Sequence, residues 1–217
     1  MDLFENDLLA QTSKQVSHIA DGAVLLHGFA LPNAAQIMAD LQAILSVSKL
    51  RKMITPGGYT MSVAMTNCGA LGWVTDKKGY RYDALDPSTG APWQPMPKSF
   101  LALAKQAALV ASYANFVPDA CLINQYLVGT KMGLHQDKDE QDFSQPIVSV
   151  SLGCTATFLF GGLKRSDKPA KILLQHGDVI VWGGKSRLNY HGIMPLKVSN
   201  HAAFGACRFN LTFRKAA

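Results

Sequence analysis

Long apolar runs are missing from this chain of 217 residues. No stretch approaches the roughly 18 consecutive apolar residues of a membrane span. The N-terminus likewise lacks the basic start and apolar core of a secretory signal. Cysteine is scarce: Cys68, Cys121, Cys154 and Cys207 are widely separated, and no C-x-x-C pair occurs. Free or buried thiols in a reducing cytoplasm are therefore expected, and disulfides are not. Internal repeats and low-complexity tracts are also absent, and the length suits one domain with its own core. Acidic residues fall short of basic ones, 15 against 21, which leaves a formal charge of +6. Such an excess favours a polyanionic partner, because neutralised phosphates release counterions. It acquires meaning only beside a site that reads bases.

Positions 1–20 are polar without strong periodicity and read as a flexible N-terminal arm, followed by a single domain over 21–217. Ala23 to Leu26 reads as a strand. Asn33 is placed to cap a helix with Ile37, Met38, Leu41, Ile44 and Leu45 on one stripe. Thr60 to Thr66 reads as another strand. From Asn67 to Pro97, Gly, Pro, Asp and Lys interleave with Trp73, Tyr80, Tyr82 and Trp93. An irregular segment this rich in aromatics reads as functional, not disordered. Ser99 opens a second amphipathic helix through Phe100, Leu103, Ala107, Val110 and Ala111. Beyond it come short strands at Leu122 to Leu127, Ile147 to Leu152, Thr155 to Phe160, Ile172 to Leu174, Val179 to Trp182 and Cys207 to Phe213. The pattern predicts a mainly β fold with flanking helices, closed or double-sheeted as in a jelly roll.

His135 and Asp137 stand two residues apart, so an extended backbone sends both side chains to one face. A third ligand must come from elsewhere, and His191 and His176 are the candidates. His176 directly precedes the turn Gly177-Asp178, which suits a structural role. Two imidazoles and one carboxylate hold Fe(II) facially and leave positions open for a co-substrate and O₂. Zinc accepts the same ligand set. The last strand separates the two cases. Period-two alternation puts Arg208, Asn210, Thr212 and Arg214 on one face, with Phe209, Leu211 and Phe213 on the other. Two guanidinium forks suit the carboxylates of 2-oxoglutarate. Six residues of strand nevertheless span roughly 20 Å, a gap that long side chains must close by leaning inward. Asn124 and Tyr126 share a face of another strand and could add neutral hydrogen bonds.

Five runs carry a resemblance: Thr55 through Gly69 with Leu71-Gly72-Trp73, Ala120 through Tyr126, Leu134 through Glu140, Phe160 through Arg165, and Arg208 through Arg214. Over residues 50–214 the chain resembles the AlkB family of Fe(II)/2-oxoglutarate oxygenases. Met132 and Gly133, beside the H-x-D motif, are local variants. The resemblance implies a double-stranded β-helix core with an N-terminal nucleotide-recognition lid at about 50–97. It implies Fe(II) on His135, Asp137 and His191, with Arg208 and Arg214 on the co-substrate carboxylates, helped by Asn124, Tyr126 and Asn210. In the lid, Trp73 would stack on a flipped base opposite His135. Tyr80 and Tyr82 would lie near the substrate backbone, with Asp139 and Arg165 near the base.

The implied activity is oxidative demethylation of bases such as 1-methyladenine and 3-methylcytosine. The co-substrates are 2-oxoglutarate and O₂, and the products are formaldehyde, succinate and CO₂. A lesion that cannot pair costs less to extrude, so single-stranded DNA is the preferred substrate, ahead of duplex DNA and RNA. A monomer without membrane contact is expected. Two rivals share these residues: a 2-oxoglutarate oxygenase acting on a protein or small molecule, and a non-catalytic nucleic-acid binding module with a structural metal.

Overall fold

A computed structural model describes residues 16–217. Thirteen strands and two long helices follow one another as β1 (Val16–Ala20), β2 (Ala23–Leu26), α1 (Ala34–Val47), β3 (Ala64–Gly69), β4 (Gly72–Asp76), β5 (Gly79–Asp83), α2 (Lys98–Val110), β6 (Ala120–Leu127), β7 (Met132–His135), β8 (Ile147–Gly153), β9 (Ala156–Phe160), β10 (Ala170–Leu174), β11 (Val179–Trp182), β12 (His191–Ile193) and β13 (Cys207–Arg214). A seven-stranded sheet runs β1-β2-β11-β8-β13-β6-β3. A four-stranded sheet runs β10-β9-β12-β7, and β4 and β5 form a separate hairpin. Every ladder pairing is antiparallel. This is the expected mainly β jelly roll. No helix among the described residues is long and apolar enough to cross a membrane.

The large sheet buries both faces, and strand alternation sorts its residues between them. Phe209, Leu211 and Phe213 of β13, Cys121 and Ile123 of β6, and Val148 and Val150 of β8 pack outward under the helices. There they meet Ile37, Leu41 and Ile44 of α1 and Phe100, Leu103 and Ala107 of α2. The opposite face of the same strands turns toward the small sheet. Its apolar part joins Leu122, Ile147, Ile180 and Trp182 to Phe158, Phe160 and Ile193. Its polar part, which includes Arg208, Asn210 and Ser149, is equally buried.

Several expectations need correction. The arm falls outside the described residues up to position 15, but Val16–Ala20 is a strand on the edge of the large sheet, paired with β2. The strand expected from Thr60 starts at Ala64, where pairing with β6 begins. Residues 64–69 therefore belong to the large sheet. Nor is the stretch after Asn67 irregular throughout. Cross-strand pairs Trp73↔Tyr82 and Thr75↔Tyr80 zip it into a hairpin, closed at Gly79 with φ +110°. That backbone region favours glycine. Asn33 does precede α1, but its side chain makes no capping hydrogen bond.

Phe100 carries much of the outer core, fully buried and edge-on to Phe213 with ring centroids 6.0 Å apart. Phe100→Ala is expected to cost about 3–5 kcal/mol. A urea unfolding curve checks this, and an unchanged midpoint would show that the cavity collapses without penalty.

Candidate functional site

Three strands and one loop bring the site together. β12 pairs with both β7 and β9, and its register sets His191 directly opposite His135. Facing residues of an antiparallel pair point to the same side, so the two imidazoles meet, with centroids 4.4 Å apart. Gly192 makes this approach possible. A Cβ there would lie 2.7 Å from the Met132 carbonyl oxygen. β7 stops at His135, and the chain bends so that Asp137 closes the group from the following loop. His135 Nε2 stands 3.7 Å from Asp137 Oδ1, and His191 Nε2 stands 3.8 Å from Oδ2. One ligand atom from each of the three falls within 4.8 Å of the others.

Hydrogen bonds on the far side of each ring select the tautomer. His135 Nδ1 lies 2.8 Å from the Gly133 carbonyl oxygen, and His191 Nδ1 lies 3.1 Å from that of Asn189. A carbonyl can only accept, so both protons sit on Nδ1 and both Nε2 lone pairs face the centre. This is the arrangement a metal requires. His176 has a different role. Its Nδ1 accepts the Gly153 amide at 3.1 Å, and its ring lies against His201, away from the cavity.

Charge in the group is balanced from within. Burial would raise the Asp137 pKa, yet Arg214 and the two imidazoles outweigh it and hold the carboxyl well below its ordinary range. Arg214 donates to Asp137 Oδ2 from Nη2 at 2.6 Å and from Nε at 2.9 Å. Burial and the neighbouring His135 push His191 down from 6.5 to about 4, so it is neutral at pH 7.

Arg208, Asn210, Thr212 and Arg214 line one cavity between the sheets, together with His135, His191 and Asn124. The 20 Å spacing of the strand is thus bridged by the side chains, as both guanidinium groups reach this space. Arg208 is 1% exposed and lies over the Tyr126 ring, 5.1 Å from its centroid. Its Nη2 donates to Ser151 Oγ at 2.9 Å, but Nε and Nη1 have no partner among the described residues. Asn124 donates to Asn210 at 3.2 Å, while its own Oδ1 is unpaired. A buried, half-satisfied guanidinium is costly, by several kcal/mol. An anion that supplies the missing acceptors removes the cost. The donor set and the orphaned Arg208 together fit a divalent cation bearing a dicarboxylate.

Outside the residues that line the cavity, Asn67 brackets the Trp73 backbone with two 3.0 Å hydrogen bonds, and the Trp73 ring stacks on the exposed Tyr80, 18° from parallel. Trp73 Nε1 donates to Asp139 Oδ2 at 2.8 Å. Arg165 is exposed in the loop after β9 and forms no ion pair among the described residues. Tyr82, expected near a substrate backbone, is partly buried. Its hydroxyl points inward and donates to Glu140 Oε1 at 2.6 Å. Burial, together with Glu140 and Asp137, raises that phenol well above its usual pKa and keeps it a donor. Sequence reasoning passed over Glu140 and Arg187, a fully buried ion pair at 3.0 Å behind Asp137. A glutamate three residues past the H-x-D motif gives no local sign of burial.

Residues 22–214 match the family model described as the 2OG-Fe(II) oxygenase superfamily. The alpha-ketoglutarate-dependent dioxygenase AlkB of Salmonella typhimurium is 57% identical over 97% of this chain and 98% of its own length. The mouse nucleic acid dioxygenase ALKBH1 is 35% identical over 57% of this chain and 31% of its own length. Among solved structures, that of OsALKBH1 superposes with a TM-score of 0.80 at 32% identity, over 92% of this chain and 99% of that one.

The depressed His191 pKa has a consequence for stability. Between pH 6.5 and about 4 the unfolded chain binds a proton that the folded protein refuses. Stability therefore falls as pH drops through that window. Melting temperatures of metal-free protein should decline over it, with a shallower slope for His191→Asn. Equal slopes in the two proteins would remove His191 as the source.

Proposed function

Because the chain belongs to the 2OG-Fe(II) oxygenase superfamily, we propose that it strips methyl groups from ring nitrogens of alkylated bases in nucleic acid. It is an Fe(II)- and 2-oxoglutarate-dependent dioxygenase. One observation carries the assignment of the cavity: buried Arg208, with its unpaired Nε and Nη1, lines the same pocket as His135 and His191, which group with Asp137. The three side chains of that group would hold Fe(II) through two neutral Nε2 atoms and one ionised carboxylate. Arg208 would take one carboxylate of 2-oxoglutarate, supported by Asn124 and Tyr126. Arg214 and Asn210 would meet the other. When bound, Fe(II), 2-oxoglutarate and O₂ supply the oxidant that turns the N-methyl group into N-hydroxymethyl, with succinate and CO₂ as the other products. Loss of formaldehyde then returns the N–H or free ring nitrogen.

The chain's own part in that chemistry is positioning and exclusion of water. Burial of Arg208, Asn210 and Arg214 keeps the co-substrate end dry, which strengthens each charged hydrogen bond there. At the mouth, a methylated ring carries a fixed positive charge. The Trp73 face and the Asp139 carboxylate both favour a cation, and the hydrogen bond between them holds the two in register. Arg165 would lie near the base, exposed Lys77 and Lys78 suit phosphates, and the net charge of +6 supports a polyanionic substrate. The name of the mouse relative supports nucleic acid as the substrate class. Single-stranded DNA is the favoured form, because an unpaired lesion is the cheapest base to extrude. Four free cysteines agree with a reducing cytoplasm, and we take the working unit to be a monomer.

Anaerobic protein given Fe(II), 2-oxoglutarate and a single-stranded oligonucleotide containing 1-methyladenine or 3-methylcytosine should, on admission of air, release formaldehyde and succinate in equal amounts. Succinate formed while the methylated base stays intact would point to a different substrate. His135→Ala should abolish turnover. Trp73→Ala should mainly raise the KM for oligonucleotide, by about tenfold or more. Steady-state kinetics separates the two, and a Trp73→Ala enzyme with unchanged KM would deny the ring its stacking role.

A further inference from the structure

Behind the metal group lies a chain of buried charge that the proposed reaction does not use. Glu140 and Arg187 have side chains 2% and 3% exposed, and neither lines the cavity. Arg187 sits four residues before His191 and spends every branch of its guanidinium on the loop that carries Asp137. Its Nη1 donates to the Asp137 backbone carbonyl at 2.8 Å, its Nε to the Gln145 carbonyl at 2.9 Å, and its Nη2 to Glu140 Oε2 at 3.0 Å. The Phe143 ring covers it, with the guanidinium carbon 5.3 Å from the centroid. The other Glu140 oxygen faces the opposite way. It accepts from the Tyr82 hydroxyl at 2.6 Å and lies 3.4 Å from Arg214 Nε. One carboxylate thus stands between two guanidinium groups and a phenol contributed by the lid hairpin.

A buried ion pair is weak evidence for stability, since apolar residues of similar volume often do as well. Its position is more informative. Arg187 joins the two loops that present Asp137 and His191, and Glu140 joins Arg214 to the hairpin that presents Trp73. The second link matters once a cation claims the charge of Asp137. Arg214 then loses part of its hold on that carboxylate, and Glu140 keeps the fork facing the cavity, ready for an incoming carboxylate. We propose that Glu140 and Arg187 are positioning residues. Arg187 sets the spacing of Asp137 and His191, while Glu140 keeps Arg214 aimed and ties the Tyr82 hairpin into the same frame. This rests on the assignment of Fe(II) and 2-oxoglutarate to the cavity.

Binding without turnover tests it. Full-length protein is titrated anaerobically with Co(II), followed by its visible absorption, and then with 2-oxoglutarate by calorimetry. Arg187→Met should weaken Co(II) by roughly 10–100-fold, and Arg187→Lys should recover part of that loss. Glu140→Gln should weaken 2-oxoglutarate by about tenfold while shifting Co(II) less. Tyr82→Phe should leave Co(II) affinity alone yet speed amide exchange in residues 72–83. Arg51→Met, which breaks the distant Arg51–Asp86 pair, is the control for general destabilisation and should change neither affinity. If a single variant fails to fold, the double variant Glu140→Gln, Arg187→Met removes both charges together and should still bind Co(II) poorly. Folded variants with Co(II) and 2-oxoglutarate affinities within about twofold of the unaltered protein would overturn the inference alone. Unaltered protein that binds neither Co(II) nor 2-oxoglutarate would overturn the cavity assignment and the inference with it.

Discussion

The nearly buried carboxylate of Asp137 meets two imidazoles and a guanidinium, and the site is organised around keeping that carboxylate ionised. Alone at this depth it would take up a proton and cease to be a ligand. Arg214 prevents this through two short hydrogen bonds, and Glu140 and Arg187 support Arg214 and the Asp137 backbone in turn. Under the proposed assignment, metal binding and co-substrate binding are linked through Arg214. The side chain that stabilises the ligand is also one that can greet a carboxylate arriving beside the metal.

The large sheet makes such a concentration of polar groups tolerable. Its outer face is ordinary apolar core under two helices, which supplies the stability. That frees the inner face of the same strands to carry Ser149, Ser151, Asn124, Asn210, Arg208 and Arg214 in the interior. A polar group there costs little if it is paired, and most are. The exceptions are informative because they gather on one cavity: Arg208 Nε and Nη1, Asn124 Oδ1 and Trp182 Nε1 all belong to residues that line it and all lack a partner among the described residues. The β4–β5 hairpin buries Val74 in the inner core, stacks Trp73 on the exposed Tyr80, and is tied from within by Tyr82.

Much of this was legible in the residues. β11 coincides with the strand read from Val179 to Trp182, and β13 runs one residue past its expected end, because both are continuous β-favouring runs with clean alternation. The polar stripe of β13 also read correctly as one face, although only the fold could say that this face looks inward. Short or mixed elements were lost. β7 is Met132-Gly133-Leu134-His135, too brief and too glycine-rich to stand out, yet it places a candidate ligand. The lid hairpin hid behind Asp, Lys and Gly. Its signal was the alternation of Trp73 and Thr75 with Tyr80 and Tyr82 across a two-residue turn. Tyr82, Glu140 and Arg187 were beyond local reading, because their burial depends on partners 47 and 58 positions away.

The central claim is that buried Arg208 receives one end of a dicarboxylate whose other end lies on a metal held by His135, Asp137 and His191. Anaerobic titration of the Fe(II)-loaded protein with 2-oxoglutarate, followed through the visible charge-transfer absorption of a chelated keto acid, addresses both ends at once. The account predicts a band that saturates at one equivalent per chain and is lost at the same concentrations in Arg208→Met. A band of undiminished intensity and affinity in that variant would contradict it.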